Sequence, residues 1–154
     1  MQLSKNFSLV ELTKSQTAER KGISNDPSPD HLENLRLLCE RVLQPVRDHF
    51  NHVVSVSSGY RSPELSQAIG SSIDSQHCKG MAADFEIYGT PNNEVFNWIR
   101  HNLMYDQMIL EYWNKDEPNS GWLHVAYNPD QEENIKENLR AYKDEDNYTR
   151  YKPI

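Results

Sequence analysis

His77 and Asp84 stand seven residues apart in Ser75-Gln76-His77-Cys78-Lys79-Gly80-Met81-Ala82-Ala83-Asp84, separated by a glycine-containing turn and small side chains. An imidazole and a carboxylate suit Zn²⁺, which takes nitrogen, sulfur and oxygen donors in a tetrahedron. A catalytic zinc keeps one position open and needs a third protein donor, which His124 in Trp122-Leu123-His124-Val125 can supply. Singly, each has an ordinary explanation. A lone strand histidine is most often a hydrogen-bonded structural group, and Asp84 can cap a turn or pair with a lysine. Cys78 is a further possible thiolate donor, disfavoured because its side chain, next to His77 on a strand, would point the other way. His49 and His52, spaced i, i+3 near a helix end, can present two imidazoles to a second metal, although cations there are favourable without one. His31 and His101 fall on helices without acidic or histidine neighbours and are expected to be exposed.

Several elements must position these residues. Ser8-Leu9-Val10-Glu11 is a capping box opening a short helix that ends near Gly22. Asn25 to Pro29 is a turn, with Pro29 suited to a first helical position. Leu32, Leu35, Leu38, Val42, Val46 and Phe50 recur at helical spacing, so Asp30 to about Phe50 is the main amphipathic helix. Pro45 must kink that helix or begin its last turn. Val53 to Ser57 is a β-branched run that predicts a strand, and Ser62 caps a short helix through Ala68. Met81 to Ile87, Gln107 to Trp113 and Trp122 to Tyr127 are further strands, with a helix opened by Thr90-Pro91 between the first two. Leu139 to Lys143 and Tyr148 to Lys152 suggest a closing hairpin, and a solvated helix around Glu132 to Leu139 fits the pattern equally. One α+β domain spanning 1–154 follows, with an antiparallel sheet and packed helices. Residues 1–52 form its helical part, 53–127 its chemical core and 128–154 its tail.

The composition excludes other classes of function. The chain has 154 residues, 36% apolar and 25% charged, with a formal charge of −7. That charge argues against a nucleic-acid binder, and equally against docking on anionic membranes. No apolar run approaches the roughly 20 residues of a membrane span. Met1 to Phe7 lacks the apolar stretch of a signal peptide, so a cytoplasmic location is expected. Cys39 and Cys78 form no disulfide framework, Cys39 lying on an apolar helix face. A monomer is expected.

Ser57-Ser58-Gly59-Tyr60-Arg61-Ser62, Ser75-Gln76-His77, Gly80-Met81-Ala82-Ala83-Asp84 and Trp122-Leu123-His124-Val125 form a longer pattern. Together they closely resemble the D-alanyl-D-alanine peptidase family of zinc enzymes (peptidase family M15), particularly its small phage and bacterial members. The signature is a Gly-Tyr-Arg-Ser loop, a Ser-x-His-x-x-Gly-x-Ala-x-Asp segment and a downstream Trp-x-His. The resemblance runs from about Phe7 through Tyr127 and leaves the tail uncovered. It implies that His77, Asp84 and His124 are the zinc ligands and that Arg61 is the substrate or transition-state arginine. A permanently charged guanidinium can polarise a scissile carbonyl, hold an oxyanion or anchor a peptide carboxylate.

The general base breaks the pattern. Many members place an acidic residue three positions before the last histidine ligand, where this chain has Gly121. Glu111, within the otherwise apolar Ile109-Leu110-Glu111-Tyr112-Trp113, is the better candidate, because burial would raise its pKa toward a useful range. The related hedgehog-type zinc site also carries its glutamate on the strand before the histidine. The other reading of Glu111 is a structural partner for Arg61. Asp116 and Glu117, in the polar loop, are expected to be solvated, and Tyr60, Trp113 and Trp122 either line a groove or belong to the core.

The resemblance therefore implies a hedgehog/DD-peptidase-like fold and a metallopeptidase acting on peptidoglycan stem peptides. The bond would be D-Ala–D-Ala or L-Ala–D-Glu, and the source a phage endolysin or virion-associated lysin made in the host cytoplasm or carried in the virion. The rival expectation is an inactive metal-binding structural or wall-binding module of the same fold.

Overall fold

A computed structural model describes all 154 residues. A two-stranded hairpin, β1 (Gln2–Ser4) and β2 (Phe7–Ser8), leads into α1 (Leu9–Thr13). The Ser8–Glu11 capping box forms in both directions. The helix does not continue to Gly22. It stops at Lys14, which is extended, and restarts as α2 (Gln16–Lys21) because the Ser15 hydroxyl accepts from Ala18 N and caps a new first turn.

The main helix begins at Pro29 behind the Ser28 cap as α3 (Pro29–Leu38) and ends as α4 (Gln44–Phe50). Between them Cys39–Leu43 is a single widened turn in which Gln44 N reaches back to Cys39 O. Pro45 has no N–H and its ring would press on a carbonyl one turn earlier, and the wider turn accommodates both. The adjustment thus precedes the proline.

After α4 come β3 (Ser55–Ser58), α5 (Pro63–Ala68), a 3₁₀ turn at Gln76–Lys79, β4 (Ala82–Glu86) and α6 (Asn92–Asn102). Then follow β5 (Gln107–Glu111), β6 (Trp122–Ala126), a 3₁₀ turn at Gln131–Glu133, β7 (Glu137–Lys143) and β8 (Thr149–Pro153). β5 ends before Trp113, because Tyr112 adopts φ 57° and turns the chain. The segment from Glu137 is strand rather than helix, so the tail does close as a hairpin.

The six main strands lie in the order β3-β4-β6-β5-β7-β8. Every pair is antiparallel except β5–β7, so the sheet is mixed rather than antiparallel throughout. Connection geometry explains the exception. β6 ends beside the start of β5, Ala126 opposite Gln107, and the chain crosses that end of β5 so that Glu137 again pairs with Gln107. A strand that begins at the same end as its neighbour must run parallel to it.

One face of the sheet is the core face. Ala83, Phe85, Met108, Leu110, Leu123 and Val125 are buried there with Leu35, Leu38, Val42 and Val46 from the long helix and Val95, Phe96 and Ile99 from α6. The alternate residues Asp84, Glu111, Trp122 and His124 rise from the open face, as the two-residue strand period requires. No helix is long and apolar enough to cross a membrane.

Helix α1 packs closely on Gly59, the residue that follows β3. The Leu12 backbone passes so close to Gly59 that a Cβ there would sit 2.3 Å from Leu12 O. Gly59→Ala is expected to destabilise the protein by at least about 2 kcal/mol, seen as a lower urea midpoint at unchanged slope. An unchanged midpoint would show that this contact yields freely.

Candidate active site

Asp84 and His124 are direct partners across β4 and β6, so their side chains emerge as neighbours. His124 Nδ1 lies 2.9 Å from Asp84 Oδ1. His77 comes from the turn beyond the sheet, where the Ser75 hydroxyl accepts from His77 N, and its Nε2 stands 3.4 Å from the same Asp84 oxygen. Donors on a tetrahedral zinc-sized ion stand about 3.3 Å apart. The observed spacings, with all three donor atoms within 4.8 Å of one another, are therefore those of a ligand set.

The outer contacts fit the same role. His77 Nδ1 lies 2.7 Å from the buried Gly59 carbonyl, which can only accept, so Nδ1 carries the proton and Nε2 offers its lone pair to the centre. Burial pushes the Asp84 carboxyl up, but the His124 and His77 imidazoles packed against it outweigh that and hold the group well below the usual carboxylate range. Asp84 is thus an anion wherever the protein is folded near neutrality.

These ligands share one chamber of about 540 Å³ with Arg61, Glu111, Trp122 and Tyr151. All five residues singled out from the sequence meet there. Arg61 is placed by its own backbone, whose N donates to His77 O at 3.1 Å. Its guanidinium has no carboxylate partner. Nη1 reaches Ser58 Oγ at 3.4 Å, and the buried Nε has no acceptor at all. Such an orphaned donor is what an incoming carbonyl or carboxylate would satisfy.

Glu111 forms no direct ion pair with Arg61. Burial and the nearby charge of Asp84 push its carboxyl up, against weaker downward pulls from His124, Trp122 and Arg61. Gly121 explains why no acid stands at its position. It adopts φ +69°, and a Cβ would lie 1.9 Å from Glu111 O, so the connection from β5 to β6 excludes any side chain there.

Other residues fall elsewhere. Cys78 is buried on the 3₁₀ turn, not on a strand, and its thiol points toward Ser72 O rather than the donors. Gln76 donates to Asp106 at 3.0 Å while still edging the chamber. His49 stacks on Trp98 with centroids 4.3 Å apart and joins no ligand group. His101 is exposed as expected, but His31 is half-buried, its ring near Tyr60. Trp113 donates to Pro118 O, and Asp116 and Glu117 are exposed.

Two contributors escaped the sequence reading. Tyr151 comes from β8, reached only through the parallel crossing that sets Glu111 opposite Ala141 and Ala141 opposite Tyr151. Asn25 clamps α1 to the arginine loop, donating to Thr13 O and Tyr60 O and accepting from Ser62 N. A turn-forming Asn-Asp-Pro was its only signal, and it names no partner.

One divalent ion per chain is expected to bind and raise the melting temperature, with about 2.7 kcal/mol gained at a hundredfold excess over Kd. Asp84→Ala should abolish that shift, as followed by calorimetry with and without chelator. A shift that survives Asp84→Ala would place the ion elsewhere.

No curated protein matches the chain at a significant level. The family model described as Peptidase M15 matches residues 5–125, which takes in the arginine loop, all three donors and Glu111 and stops short of β7 and β8. With most of its length and the three donors, Arg61 and Glu111 inside that match, the chain belongs to the peptidase M15 family.

Proposed function

We propose that this chain is a zinc peptidase that hydrolyses a peptide bond in the stem peptides of bacterial peptidoglycan, serving as a phage endolysin or virion-associated lysin. The observation that carries the reading is the convergence, in one chamber, of two imidazoles and a carboxylate with a raised carboxyl and an unpaired guanidinium. Two nitrogen donors and one oxygen donor form a set suited to zinc, with one position left for the reaction.

Zinc held by His77, Asp84 and His124 would supply Lewis acidity, polarising the peptide carbonyl and acidifying water. Glu111, half-buried beside Asp84, takes the proton from that water and delivers it to the departing amine. Arg61 holds the carbonyl oxygen as negative charge grows on it, or fixes a neighbouring carboxylate of the substrate. His77 keeps its orientation through Gly59 O, so the donor atom does not turn away between cycles. The bond is D-Ala–D-Ala in a carboxypeptidase or L-Ala–D-Glu in an endopeptidase.

The rival reading, an inactive metal-binding module, draws on Gly121. That glycine has a steric reason of its own and is no sign of a lost base, which leaves Glu111 as the carboxylate nearest the task.

Glu111→Gln should retain one zinc per chain and lose about 10²–10⁴ in the release of new amino groups from purified cell wall. Undiminished release would remove Glu111 from the mechanism. Glu111 must be ionised to accept a proton, and its pKa is raised, so the rate should fall as pH drops through a value above the ordinary glutamate range. An acid limb of kcat/KM at or below that range would assign the base elsewhere.

A further inference from the structure

A second groove meets the metal chamber at Arg61, which belongs to the walls of both. It encloses about 650 Å³, more than the metal chamber itself, and runs between α2 and the start of α5. Its walls carry the hydroxyls of Ser15, Thr17 and Ser58 over an apolar floor of Tyr60, Leu65 and Ile69. This mixture suits a peptide, whose backbone needs polar partners and whose side chains need apolar contact.

The charges in the groove are unusual for a chain of net charge −7. Lys14 and Arg61 both line it, and neither forms an ion pair with any carboxylate of the protein. Glu19 is the groove's only acid and pairs with neither cation.

The backbone segments that carry the two cations are tied to each other. Lys14 is the extended residue between α1 and α2, its N donating to Val10 O. Asn25 ties the residue before Lys14 to the residues on either side of Arg61. Its amide donates to Thr13 O at 2.7 Å and Tyr60 O at 3.0 Å, and its carbonyl accepts from Ser62 N at 2.7 Å. Gly59 packed on Leu12 adds a second tie between the same two segments.

We propose that this groove is a substrate subsite for a carboxylate-bearing portion of the peptide next to the scissile bond, anchored by Lys14 and Arg61. The inference rests on the peptidase reading above and adds to it the chemistry of the neighbouring residue. A stem peptide offers two such carboxylates, the α-carboxylate of its D-glutamyl residue and the free carboxylate of a diaminopimelic acid residue. Both present the same group to the groove.

The test uses the full-length zinc-loaded protein carrying Glu111→Gln, so that the ligand is not consumed. The probe is the pentapeptide L-Ala–γ-D-Glu–diaminopimelic acid–D-Ala–D-Ala, which holds both candidate bonds, compared by calorimetry with forms amidated at the D-glutamyl or the diaminopimelyl carboxylate. The acidic pentapeptide should bind more tightly than one of the two amides, and that amide identifies the carboxylate held. Adding Lys14→Ala should weaken the acidic peptide about three- to fivefold, and Lys14→Glu should weaken it further. Both should narrow the difference between acid and amide while the melting temperature stays unchanged, because Lys14 is exposed. Equal binding of all three peptides, or a difference that survives both Lys14 changes, overturns the subsite. Wild-type cleavage is read separately. No cleavage of any of the three peptides counts against the peptidase reading, whereas cleavage with binding indifferent to carboxylates and to Lys14 counts against the groove alone.

Discussion

Asp84 and His124 face each other because β4 and β6 pair antiparallel from Ala82 to Phe85 with no bulge between them. Strand side chains alternate, so a slip of one residue would turn His124 into the core and lift Leu123 to the open face. Burial opposes that slip. Phe85, Leu123 and Val125 are fully buried on the reverse side, and each would forfeit about 1.5–3 kcal/mol if exposed. The hydrophobic face therefore sets the ligand geometry, and no dedicated polar scaffold is needed for two of the three donors.

The third donor is placed differently. His77 stands on a short turn, and its position comes from ties to the arginine loop: Nδ1 to Gly59 O and its carbonyl to Arg61 N. That loop is in turn held by Leu12 and Asn25. Ligand, guanidinium and the first helix thus form one hydrogen-bonded unit laid against the sheet. Backbone groups supply most of its bonds, which explains why Gly59 matters through what it lacks as well as through its carbonyl.

Much of this was legible in the sequence, for identifiable reasons. The capping residues Ser8 and Ser62 act within three residues of themselves, and both cap as expected. The alternation of Trp122 to Tyr127 placed His124 opposite the apolar residues of its strand. Local rules failed where competition or distance decided. Ser15 interrupted a helix that propensity alone would continue, and Tyr112 ended β5 early by taking a left-handed turn. The parallel pairing of β7 depends on which end of β5 the chain crosses, and no window of residues records that. Tyr151 consequently gave no sign of lying beside the donors, and Lys14 gave none of sharing a groove with Arg61.

The parallel crossing has a consequence in the order of folding. The β5–β6 hairpin is a local pairing and can close soon after its own residues are available, whereas β5–β7 joins segments about thirty positions apart around an intervening strand. Until β7 docks, β5 is an edge strand, and Glu111 faces water on the side later covered by Ala141 and Tyr151. The desolvation that lifts its carboxyl out of the ordinary range is thus among the last features the chain acquires. Before β7 and β8 dock, the pairing of β4 with β6 can already bring Asp84 and His124 together while Glu111 is still an ordinary surface glutamate.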